Sequence, residues 1–314
     1  DLTAVGVVME DLLGGSGVWW LSLIVVVILI STIKLSYQKF ARLLKWLTIS
    51  LFCYVLTVFF LQVDWLAALR ASITISLDWS PTSIMLITAI LGTTISPYLF
   101  FWQANEEVEE RDHVSAGRLK KFIVTKHELK LLKADVFTGM LFSNIVMWFI
   151  IVGASQMSAT YGIGEITNFS QAALVLRPLL GTVAYTAFAL GIIGTALLAI
   201  PVLAGSVGYI VAETLGWNEG MNNTYTQARG YYGVIIVAMV IGTALTLLQL
   251  DPVKLLIYAA VLYTLITPPL IIIILHIAND RKLMGVHKNS WISNTLGIIT
   301  LVVMATAAIM YLFT

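Results

Sequence analysis

Charge is what this sequence has least of. Only 11% of its 314 residues are charged, while 59% are hydrophobic. A soluble domain carries about 25% charged residues. The shortfall excludes an ordinary soluble domain and indicates an all-α polytopic membrane protein. The formal net charge is +1, so no bulk basic field invites nucleic acid. Cys53 is the single cysteine, which excludes a disulfide framework within the chain. The histidines, His113, His127, His276 and His287, fall in or beside loops. No His or Cys pair has metal-ligand spacing, and no glycine-rich phosphate loop or nucleophile elbow occurs. No catalytic pair can be named at membrane depth, so an enzyme is not expected. A cleavable signal peptide pattern is also missing. Asp1 to Leu13 instead reads as the end of a helix, closed by Gly14-Gly15-Ser16-Gly17, which points to an N-terminal portion ahead of it.

What the chain has in abundance is long apolar runs. Eight are long enough to span a bilayer: 17–35, 42–63, 83–103, 132–154, 183–214, 231–249, 253–277 and 291–313. The fifth is too long for a perpendicular span and must tilt or extend past the bilayer. Alternate loops hold 15 of the 18 Lys and Arg. By the positive-inside rule, loops 34–45, 104–131, 215–230 and 278–290 are cytoplasmic. The loop at 104–131 carries Glu106, Glu107, Glu109, Glu110, Arg111 and Asp112. Such a run is expected to be a solvated face, with a cation-concentrating vestibule as the alternative. The outer loop from Asp64 to Thr82 is flanked by Trp65 and Trp79, which suits the interface. Asn168-Phe169-Ser170 matches a glycan acceptor pattern and is read as chance.

The stretch Leu91-Gly92-Thr93-Thr94-Ile95-Ser96-Pro97-Tyr98, running on to Gln103, lies inside the third run. Pro97 has no N–H, and its ring clashes with the carbonyl four residues back, so a continuous helix is not expected there. Broken backbone in lipid survives only where protein or water covers it. Bare carbonyls at the end of the first half-helix, with oxygens from Ser96, Thr93, Thr94 and Tyr98, would suit a cation. A plain proline kink is the alternative. Other polar residues at membrane depth are candidates for an ion path: Gln103, Asp135, Asn144, Tyr258 and Tyr263. For Asp135, pairing with Lys130 or Lys133 is an equal alternative, and for the tyrosines ordinary packing is. Thr264 and Thr267 precede Pro268-Pro269, which are expected to kink or end a half-helix. Gly191, Gly194, Gly205 and Gly208 read first as close-packing positions. Oxygen donors favour hard ions over soft ones.

Five stretches carry a family resemblance: Asp1-Leu2-Thr3-Ala4-Val5-Gly6, Thr94 to Gln103, Gly191 to Glu213, Leu250-Asp251-Pro252-Val253-Lys254-Leu255-Leu256, and Arg281-Lys282-Leu283-Met284-Gly285. On these the chain resembles the NRAMP family of divalent-metal transporters over essentially its whole length. It is most like divergent bacterial NRAMP-like members, NRAMP-related magnesium transporters among them. The resemblance implies a LeuT-type inverted-repeat fold with broken helices. Residues 1–15 would end a third helix, 17–63 complete the first repeat, 83–277 form the second repeat, and 291–313 add a C-terminal helix. The family's first two helices would be absent from this sequence, and their ligands cannot be named.

Departures from the family pattern shape the expected substrate. Ser96-Pro97-Tyr98 stands where the family has Met-Pro-His, and Gln103 where it usually has a second histidine. Ala4 replaces the Glu that the family pairs with the residue at Asp1. The sixth span lacks the basic residues of relatives. A hydroxyl in place of a thioether favours hard ions, and the proton route loses its titratable groups. The implied activity is alternating-access transport of a divalent cation, Mg²⁺ and also Mn²⁺, with weak or absent proton coupling. Ser96 and Tyr98, with the carbonyls near Thr93 and Thr94, would hold the ion, and Pro97 would keep the break. The implied partners are the divalent ion and the lipid bilayer of a bacterial inner membrane, with no cofactor beyond the transported ion. The alternatives are a proton-coupled Mn²⁺/Fe²⁺ symporter, a transporter of an organic substrate such as an amino acid, and a non-transporting membrane scaffold.

Overall fold

The structure is a computed structural model that describes residues 1–74, 79–114, 125–161, 169–248 and 251–313. Asn168 lies outside the described residues, as do Arg118, Lys120 and Lys121. Among the described residues every regular element is helical: α1 (Leu2–Leu13), α2 (Gly17–Lys34), α3 (Tyr37–Leu47), α4 (Phe52–Phe59), α5 (Trp65–Ile73), α6 (Pro81–Thr94), α7 (Pro97–Val114), α8 (Lys126–Tyr161), α9 (Phe169–Leu215), α10 (Arg229–Leu247), α11 (Pro252–Asn279), α12 (Arg281–Met284) and α13 (Trp291–Leu312). A 3₁₀ turn, Thr48–Leu51, joins α3 to α4. Among the described residues eight helical stretches are long and apolar enough to cross a membrane, and each overlaps one of the eight runs read from the sequence. The chain is a multi-pass membrane protein. The fifth stretch, Tyr185–Leu215, has 31 residues. At 1.5 Å per residue it outruns a hydrocarbon core of about 30 Å.

By contacts the chain divides into two compact units, Asp1–Thr74 with Ala104–Leu250, and Ile75–Gln103 with Asp251–Thr314. In the first, small residues let helices approach closely. A Cβ on Gly194 would lie 1.7 Å from Ser50 Oγ, and one on Gly191 would lie 3.0 Å from the Tyr54 ring. Gly208 meets Tyr231 and Ile235 of α10 in the same way. Gly191, Gly194 and Gly208 of α9 are packing positions, as expected. Ala4 is buried with Val8, Ala189 and Ile192. Ala4 therefore serves as apolar filling between α1 and α9.

The second unit is built on α6, α11 and α13. Each starts with a side-chain cap: Ser80 accepts from Ser83 N, Asp251 from Val253 N and Lys254 N, and Ser290 from Ser293 N. Pro81 and Pro252 occupy the first helical position, where a missing N–H costs nothing. A Cβ on Gly92 would lie 1.9 Å from the Ala260 carbonyl oxygen, so α6 and α11 meet backbone to backbone. Hydroxyls fasten the three helices. Thr264 Oγ1 donates to Thr88 O at 2.6 Å, and Thr88 Oγ1 donates to Ala307 O at 3.3 Å.

One expectation is narrowed and one is corrected. Of the two readings of Pro268-Pro269, a kink or an end, the end is excluded, because α11 runs unbroken from Pro252 to Asn279. The acidic run on α7 is not a uniformly solvated face either. Glu110 is exposed, but Glu109 is buried at 9% exposure. A carboxylate can be buried there because donors from α9 and from the turn after it reach it.

Candidate cation site at the break between α6 and α7

The third membrane stretch is two helices, as Pro97 requires. α6 stops at Thr94, and Ile95 turns out of the helix at φ −121° and ψ 76°. Pro97 then opens α7, where its fixed φ suits a first helical residue. Four hydroxyls satisfy the backbone around the break. Ser96 Oγ is buried and lies 3.1 Å from Gly92 O and 3.0 Å from Thr93 O, to which it donates. Thr93 Oγ1 and Thr94 Oγ1 both donate to Ile90 O, at 2.9 and 2.7 Å. From α11, the fully buried Thr267 sends its hydroxyl to Ile95 O at 3.1 Å, within reach also of Tyr263 O at 2.6 Å. Tyr98 is half-buried, with its ring centroid 5.6 Å from that of Tyr263.

The structure thus brings Ser96, Tyr98 and Tyr263 together around Pro97. Thr93 is exposed and Thr94 half-buried on the last turn of α6. Tyr258 is 54% exposed on α11, and Gln103 is exposed. Asp135 and Asn144 stand on α8 in the other unit, both exposed. Asn144 Nδ2 donates to Met140 O one turn back. Among the described residues Asp135 makes no ion pair with Lys130 or Lys133.

Thr267 is the residue that sequence reasoning left out of the break. Its signal was a hydroxyl directly before a proline pair, in a stretch, Leu265 to Leu275, otherwise made of Leu and Ile. Chemically the arrangement offers oxygen alone. The hydroxyls of Thr93, Thr94, Ser96 and Thr267 donate to carbonyls, which leaves their own oxygens free to accept. Such donors suit a hard cation. Among the described residues no group of three or more His, Cys, Asp or Glu could hold a metal ion.

A family model described as natural resistance-associated macrophage protein-like (Nramp) matches residues 1–314. A divalent metal cation transporter MntH of Clostridium acetobutylicum is 25% identical over 232 residues, which is 73% of this chain and 50% of the relative. Proteins of the same name from Caldanaerobacter subterraneus subsp. tengcongensis and Granulibacter bethesdensis are 25% and 24% identical, over 78% and 79% of this chain and 54% and 53% of their own lengths. The chain spans about half the length of the curated relatives it matches. Since the family model covers all 314 residues, the chain belongs to the Nramp family.

Proposed function

We propose that this chain carries one half of a transport site for a divalent cation, Mg²⁺ first and Mn²⁺ second, worked by alternating access. The observation that carries the reading is the break itself, an interrupted membrane helix lined by hydroxyl and carbonyl oxygens. Ser96 and Tyr98 with the carbonyls near Thr93 and Thr94 contact the ion. Pro97 keeps the carbonyls of α6 from being consumed by a continuing helix. Gln103, Asp135, Asn144, Tyr258 and Tyr263 are assigned to the path. The half-site is neutral, so a dication needs carboxylate ligands from elsewhere in the complete protein. The relatives' additional length leaves room for them.

The preference for Mg²⁺ rests on Ser96, a hard oxygen donor small enough to leave room for a partly hydrated ion. Weak or absent proton coupling rests on Tyr98, Gln103 and Ala4, none of which titrates near neutral pH. In this reading the fold is the LeuT-type inverted repeat, with 83–277 as the second repeat. The basic loops face the cytoplasm of a bacterial cell. The test is uptake by the complete protein in liposomes. Mg²⁺ uptake without acidification of the lumen is expected. Cd²⁺ uptake far exceeding Mg²⁺ uptake, accompanied by acidification, would return the protein to a proton-coupled soft-metal symporter.

A further inference from the structure

The link between α11 and α13, Asp280 to Ser290, has no part in the site above. Both helices are long and apolar enough to cross the bilayer, as Val253–Asn279 and Trp291–Leu312, so the link lies at a membrane surface. Its ends are tied together. Asn279 and Asn294 exchange amide hydrogen bonds, Nδ2 to Oδ1 in each direction at 2.8 Å, and Asn289 Nδ2 adds a third to Asn294 Oδ1 at 3.1 Å. The Asn289 amide also donates to Ala278 O at 2.9 Å. The link itself is folded. Asp280 caps α12 by accepting from Lys282 N at 2.7 Å. Gly285 then turns the chain at φ +55°, a conformation that glycine adopts without strain.

This clamped link presents two kinds of side chain. Arg281, Lys282 and Lys288 are exposed, and among the described residues none of them makes an ion pair. Asp280 is the only carboxylate of the link, and it serves the cap. Interleaved with the cations are large exposed apolar side chains, Leu283 at 67%, Val286 at 88% and, directly after the link, Trp291 at 80% exposure. Beside a bilayer the two kinds are compatible. Cations meet headgroup phosphates, apolar side chains enter the acyl boundary, and tryptophan suits the interface between them.

We infer that Asp280 to Trp291 is a docking surface for anionic phospholipids, with Arg281, Lys282 and Lys288 on headgroup phosphates and Leu283, Val286 and Trp291 in the acyl boundary of the same leaflet. Charge complementarity selects this occupant. Three cations without ion pairs call for an anionic partner, and the leaflet at which α11 and α13 end is already beside them. Because the asparagine clamp folds the link beforehand, docking orders little further chain. The inference rests on the membrane crossing of α11 and α13 and is independent of the transport reading.

The experiment uses the complete protein in nanodiscs, carrying Cys53→Ala and Val286→Cys with a fluorophore attached at position 286. Quenching by acrylamide, which is neutral, reports how far the link is exposed to water. Nanodiscs of phosphatidylcholine alone are compared with nanodiscs that also hold phosphatidylglycerol at about 30%. Phosphatidylglycerol is expected to cut quenching by about threefold at low salt, and most of that protection should vanish at about 1 M salt, where charges are screened within about 3 Å. Each cation near an anionic surface is worth about fivefold in binding, so Arg281→Gln, Lys282→Gln and Lys288→Gln together should abolish the protection. Lys254→Gln, at the other end of α11 and paired with Asp251, should leave it unchanged. Equal quenching of the charge-intact protein in the two lipid compositions would overturn the inference, and that comparison needs none of the charge variants to fold. Protection that is the same in both lipids and persists in detergent would overturn it too, because a protein segment would then cover the link.

Discussion

Proline interrupts the apolar runs of the second unit at two places, and only one of them breaks a helix. At Ser96-Pro97 the chain leaves helical geometry, whereas at Pro268-Pro269 it continues as α11. The ring chemistry is the same, so the difference lies in the neighbours. Before Pro97 stand Gly92, Thr93, Thr94 and Ser96. Their small size lets α11 approach, and their hydroxyls take over the freed carbonyls. Around Pro268-Pro269 stand Leu265, Ile266, Leu270 and Ile271, which cannot bond a freed carbonyl. There the least costly course is to keep every remaining helical bond. Thr267 joins the two cases. It lies beside the proline pair, yet its hydroxyl reaches Ile95 O at the break before Pro97.

The largest expected effect comes from closing the approach that makes the break possible. Gly92→Val sets a side chain against the Ala260 carbonyl and Thr264 Oγ1. It should cost more than about 3 kcal/mol and leave little folded protein, as read by monodispersity after extraction. Next come the prolines themselves. Pro97→Ala should cut Mg²⁺ uptake by about tenfold or more by letting carbonyls at the break find backbone donors. Pro268→Ala should keep uptake and stabilise the fold by about 1 kcal/mol, read as a raised Tm. Equal behaviour of the two variants would dissolve the contrast. Thr267→Val leaves Ile95 O without its hydroxyl donor. It should cost about 1 kcal/mol in thermal stability and weaken Mg²⁺ binding several-fold.

The smallest effect concerns the turn beside Glu109. Burial, then Glu213 and Glu109, push the Glu219 carboxyl above the ordinary glutamate range. The folded protein then holds a proton that the unfolded chain has already released. Stability therefore falls as pH rises from the ordinary glutamate value to the raised one. Glu219→Gln should flatten that part of a Tm-against-pH curve.

Much of this was legible in the sequence, for physical reasons that differ by residue. Eight spans could be counted because a bilayer demands long apolar runs. The break at Pro97 could be placed because a proline among glycine and hydroxyl residues signals backbone that can be satisfied without a helix. At Pro268-Pro269 the choice between a kink and an end stayed open, because proline's local cost is visible in sequence while the neighbouring chain that decides its outcome is not. Glu109 was hidden for a related reason. Within Glu106-Glu107-Val108-Glu109-Glu110 all carboxylates look alike, and only the distant Tyr209 and Met221 single one out. The role of Thr267 likewise depends on a partner 172 residues away.

The central claim is that the oxygens of the α6–α7 break read the ion. It is tested most directly by calorimetric titration of the complete protein with Mg²⁺ and Mn²⁺, beside Ser96→Met. The account predicts that the unaltered protein binds Mg²⁺ and that the methionine variant shifts its preference toward Mn²⁺. If both proteins stay folded and neither binds a divalent ion, the break is not a cation site and the account is wrong.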